Sequence, residues 1–209
     1  MVNRPRKPAL FPSGMFTIFA GGEDPASLMA VAHETAHALL SRVRADPDPA
    51  VIEALVTYTD HHDIDAIAEL WARSAAETLP GALWRLYLLR VLIRHDPETV
   101  ALFYHRGAET LPTIDPVVAG IPALSGPTEV MELADQILRG VFEGDFAIAL
   151  ERAASLCRVT AAGCLSIAAD QEVLSPQRAS ELTVRAERFI VTADELRACA
   201  RLWRSDSLD

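Results

Sequence analysis

His33-Glu34-Thr35-Ala36-His37 is the stretch of this sequence whose residue types and spacing bear most directly on chemistry. On a helix, positions i and i+4 share a face. His33 and His37 could therefore hold zinc or another divalent metal while Glu34, as general base, activates a metal-bound water. A third ligand is then required. The candidates follow in Tyr58-Thr59-Asp60-His61-His62-Asp63-Ile64-Asp65, within reach of a helical hairpin, and are His61, His62, Asp63 and Asp65.

The H-E-x-x-H pattern resembles that of zinc peptidases, and the resemblance implies a metal-dependent hydrolase. Such enzymes usually set a sheet beside the helix, whereas this sequence offers no sheet. A second resemblance is to the all-helical HD-type phosphohydrolases. It would use His33, the adjacent pair His62-Asp63, and Asp115 or Asp135 as the distant ligand. In that family the pair ends a strongly apolar helix; here Thr57, Tyr58, Thr59 and Asp60 precede it.

The apolar stripe of the first helix runs through Leu28, Ala32, Ala36, Leu39, Leu40 and Val43, which leaves His33 and His37 at its edge beside Arg44. The plainer expectation is that the two histidines bond to Asp60, Asp63 or Asp65 across the hairpin. His61 to Asp65 would then be a helix cap with first-turn acids. His95 and His105 fall near helix ends, where a cation suits the dipole.

The elements that must position these residues are helices. Asp24-Pro25, Asp48-Pro49 and Asp96-Pro97 each place a capping carboxylate before a proline at the first helical position. They predict helices to about Ala45, Tyr58 and Arg106. Asp63 starts a short helix through Ala75. Gly81 to Arg94, apolar nearly all round, is expected at the centre of the bundle. Its Arg85, Arg90 and Arg94 must find carboxylates or line a pocket for an anion.

Pro112, Pro116, Gly120 and Pro122 make residues 108–126 a connector, with at most one helical turn at Asp115 to Ala119. Three helices follow, Pro127 to Phe142, Asp145 to Ile167 and Pro176 to Trp203. The middle one carries the small residues Ala153, Ala154, Ala161, Ala162, Gly163 and Cys164. The last would run along the outside, paired through Glu181 and Arg185, with Leu182, Phe189 and Leu196 facing in.

The fold expected is all-α, one domain of about eight helices at 24–204, divided as 24–107, the connector and 127–204. An extended arm at 1–23, with a strand-like Phe16 to Ala20, precedes it, and a flexible tail at 205–209 follows. With 209 residues, half of them hydrophobic, such a domain can bury a core without metal or disulfide. A formal charge of -10 opposes nucleic acid and anionic membranes as partners.

Lys7 is the only lysine, a bias that suits a GC-rich bacterial genome. Cys157, Cys164 and Cys199 lack a bridging framework and fit reduced thiols in a cytoplasm. The basic start, Arg4, Arg6 and Lys7, resembles an export signal, but Pro12, Ser13 and Gly14 interrupt its apolar run. There is no phosphate loop and no serine elbow. The leading expectation is a non-catalytic interaction or scaffold protein with a protein partner, or a homodimer joined through the apolar arm or the small-residue helix face. The metal-dependent hydrolase is the competing one.

Overall fold

The computed structural model describes residues 25–45, 50, 70–111, 115–119 and 126–209. Seven helices are assigned among them: α1 (Pro25–Ala45), α2 (Leu79–His95), α3 (Pro97–Thr110), α4 (Asp115–Ala119), α5 (Pro127–Glu143), α6 (Phe146–Gln171) and α7 (Pro176–Arg204). No strand occurs among the described residues. The arm at 1–23, the Asp48 to Tyr58 helix apart from Ala50, and most of the Asp63 to Ala75 helix lie outside them; Leu70 to Ala72 are helical and a turn follows.

Capping chemistry sets the helix starts. The Asp96 carboxylate accepts from the Thr99 amide at 3.2 Å, and Asp145 accepts from the Ala147 amide at 2.8 Å. For α2 the cap is Thr78, whose hydroxyl accepts from the Gly81 amide at 3.2 Å ahead of Pro80. Each satisfies amide donors that the first helical turn leaves unbonded. Helix α3 runs past the expected end at Arg106 to Thr110. Gly107, read as a stop, is instead a contact point, because the α3 backbone presses there on α6.

The centre of the bundle is α6, not the helix over 81–94. Helix α6 touches α2, α3, α4, α5 and α7. Its small residues explain why. A Cβ at Gly107 would overlap the Val159 carbonyl oxygen, and one at Gly163 would overlap that of Phe103, so the two backbones meet at a glycine pair. Ala153, Ala154, Ala161 and Cys164 are buried around this crossing, and the small-residue face is filled from within the chain. Helix α2 packs on α1, α5 and α7 and leaves Leu88 and Val91 in solvent. An apolar circumference was the wrong guide to centrality, since it cannot distinguish a surrounded helix from one that keeps an apolar outer face.

Buried charge is paired. Arg90, 2% exposed, reaches Asp135 on α5 at 2.9 Å, and Arg94 joins the same carboxylate at 2.9 Å. Asp115 is buried against Ser155, whose hydroxyl donates at 3.0 Å, with Arg158 and Arg197 each 3.6 Å from its carboxylate. Such pairs lock neighbours in register more than they add net stability.

Residues 205–209, expected as a flexible tail, fold back onto α2. Leu208 is buried, and the main-chain oxygen of Asp209 accepts from the Leu79 amide at 2.6 Å, one of the donors at the start of α2. The protein is an all-α, single-domain bundle. No helix among the described residues is long and apolar enough to cross a membrane.

Candidate functional site

Helix α1 buries Ala32, Ala36, Leu40 and Val43, the stripe its periodicity predicts. His33 is consequently half-buried at the edge, and Glu34 and His37 are exposed. Between them the Thr35 hydroxyl accepts from the Trp71 indole N–H at 3.2 Å. The described residues thus bring the two imidazoles onto one face, one turn apart. His61, His62, Asp63 and Asp65 lie outside the described residues. Among those described, no group of three His, Cys, Asp or Glu side chains has metal-binding geometry.

The remaining sequence candidates resolve into structure. His105 is exposed, with Nε2 at 3.4 Å from Glu109. Asp115 and Asp135, the distant ligands of the phosphohydrolase resemblance, are occupied by arginines as described above. The three thiols are buried without a bridge. Burial pushes Cys157 up to about 12 and Cys164 and Cys199 to about 11, which keeps them protonated and unreactive near neutrality. Arg90 and Arg94 form ion pairs. Arg85 does so as well, with Glu195 at 2.5 Å, yet it also lines an open groove.

That groove lies between the outer face of α2 and α7 and measures about 990 Å³. Its position follows from the side chains at the seam. Leu89, Leu182 and Phe189 are buried and form its floor; Leu88, Val91 and Val184 stand at its walls, each about two-fifths exposed. Large and charged residues line the seam where α2 meets α7, in contrast to the glycine crossing of α3 and α6.

Its edges carry Arg85, Arg178, Arg185 and Arg188 against the carboxylates of Asp96 and Glu181. Arg178 lies 3.5 Å from Glu181, replacing the Glu181 to Arg185 pair expected from spacing. Arg185 instead sits over the Phe103 ring, 5.0 Å from its centroid. Asp96 is held below the ordinary carboxylate range mainly by its hydrogen bonds with Thr99.

The groove therefore combines apolar depth with a cationic edge, a binding chemistry. Sequence reasoning missed it. The signals were Leu88 and Val91 on the outward side of α2 and Val184 among the exposed apolar residues of α7. No protein-family model, curated protein or solved structure matches the chain.

Proposed function

We propose that this protein is a non-catalytic interaction domain whose working surface is the groove between α2 and α7. The observation that carries this reading is the exposure of Leu88, Val91 and Val184 together over a buried apolar floor. Contiguous apolar surface in a concave setting is what partner recognition uses, since covering it is favourable by about 25 cal/mol per Å². Three reduced, buried thiols suit a cytoplasmic setting for that role.

A photo-crosslinking residue in place of Val91 or Val184 tests the reading in cells of the source organism. A discrete adduct is expected from these two positions and none from Val173, which is 91% exposed in the turn between α6 and α7. Equal adducts from all three positions, or none, would overturn it.

A metal-dependent hydrolase is the second reading, supported by one observation: His33 and His37 lie one turn apart on α1 with Glu34 exposed between them. Elemental analysis of protein purified without chelator or His-tag separates the two. About one equivalent of zinc, manganese or iron, lost on His37→Ala, would favour the hydrolase. Less than about a tenth of an equivalent, with no thermal shift on adding these metals, sinks it.

A further inference from the structure

We infer that the groove between α2 and α7 takes an acidic amphipathic helix of a partner protein; the inference rests on the interaction reading above and adds the chemistry of the occupant. The first observation is shape. The groove is bordered on α2 from Arg85 to His95, which at about 1.5 Å per residue spans about 15 Å, or three helical turns. Its walls at Leu88, Val91 and Val184 stay in solvent, so the occupant must bring its own polar outer side. A helix with apolar anchors at i, i+3 or i+4, and i+7 does this; a lone acyl chain would remain half exposed, and a flat bilayer would not enter a concave floor.

The second observation is charge. The chain carries -10 overall, yet the lining of this groove holds four arginines against two carboxylates. Glu195, next to the groove, takes up Arg85, and Glu181 faces Arg178, both of that pair being exposed. Of the other two, Arg188 is the one left without a carboxylate among the described residues. Arg185 sits over the Phe103 ring and shares the field of the Asp96 carboxylate on the same groove edge. Arg188 is exposed and makes no ion pair among the described residues. Arg188 follows Arg185 by three residues on one face of α7, so the cationic edge stays open there to an acidic side chain of an opposing helix.

A second copy of this chain is a poorer occupant. A two-fold contact through this surface would set one concave groove against another and leave both floors unfilled.

The experiment titrates the full chain with three fluorescent peptides of about 16 residues. All three share the leucine anchors and differ only in flanking residues, which are Glu, Gln or Lys. The Glu peptide is expected to bind about ten-fold more tightly than the Lys peptide, with the Gln peptide between them. The preference should shrink several-fold between about 50 and 300 mM salt. Arg188→Glu should reverse the order of the Glu and Lys peptides, a change that unfolding does not produce, and Val184→Asp should weaken all three.

Equal, salt-insensitive affinities overturn the acidic occupant and leave the interaction reading standing. So would binding confined to vesicles rich in phosphatidylglycerol. A dimer in sedimentation that Val184→Asp abolishes, with no peptide bound, assigns the groove to a second copy and overturns the inference too. Failure of the peptides together with failure of the Val91 and Val184 crosslinks defeats both.

Discussion

The crossing of α3 with α6 and the seam between α2 and α7 are built by the same rule with opposite results. At the first, Gly107 and Gly163 let two backbones touch, and the surrounding surface is consumed by Ala153, Ala154 and Ala161. At the second, arginines and long apolar side chains line the seam, and apolar surface remains in solvent along the outer faces of the helices. Helix α2 combines a packed side with an open one. Its inner side is locked to α5 by Arg90 and Asp135, while its outer side borders the groove. Stability and recognition are thus separated onto two faces of one helix, and substitutions can show how complete that separation is.

The largest effect is expected inside. Asp135→Ala removes the carboxylate that buried Arg90 shares with Arg94, and breaking such a buried pair costs up to about 3 to 5 kcal/mol. Urea unfolding followed by circular dichroism reads this directly. Arg94→Ala removes a partner that is one-third exposed and should cost under about 1 kcal/mol. Similar losses from the two substitutions would show that burial does not govern the cluster.

At the glycine crossing, Gly163→Ala puts a methyl group where the Phe103 carbonyl lies, and neither helix can yield without moving the other. A loss of about 1 to 3 kcal/mol is expected, against a gain of about 0.5 to 1 kcal/mol for alanine at Gly140, which lies inside α5 and whose nearest contact would be an ordinary 3.6 Å. Equal effects at the two glycines would mean the crossing is looser than its geometry.

The difference between the two regions also explains what could be read from the residues in advance. The capped helix starts at Asp96 and Asp145 were legible because a cap acts locally, and α1 begins at Pro25 as its proline suggests. The inward set Leu182, Phe189 and Leu196 followed from periodicity and is buried. What depends on a neighbour was not legible. Gly107 looks the same whether it ends a helix or admits another backbone. The tail looked free because nothing local reveals that Leu208 finds a pocket. An apolar circumference placed 81–94 at the centre, where α6 stands, and so hid the groove. The histidine motif was the most conspicuous pattern, and two of its six proposed ligands, His33 and His37, are the ones the described residues locate.

A smaller effect tests how well the crossing excludes water. The Cys164 thiol, beside Gly163, is pushed to about 11 by burial. Unfolded, it would ionise near 8.5. Above that value the unfolded chain binds fewer protons than the native one, so stability is intact below about pH 8.5 and declines as pH rises toward 11. Comparing unfolding free energies at pH 8 and 9.5, Cys164→Ala should reduce the alkaline loss by about 1 kcal/mol. An unchanged loss would show that this thiol is hydrated in the native state.

The smallest effect on stability belongs to the groove, and there a null result on folding is the informative one. Leu88 is 43% and Val184 44% exposed, so each has already lost only part of its contact with water on folding. Leu88→Ser and Val184→Ser should therefore each change the unfolding free energy by no more than about 0.5 kcal/mol. They should nevertheless weaken the Glu peptide several-fold, because covering that area is what binding would supply. The two readouts move together only if these side chains hold α2 against α7. A stability loss above about 2 kcal/mol from either substitution would make the groove walls part of the core, and the division of α2 into a structural face and a recognition face would fail.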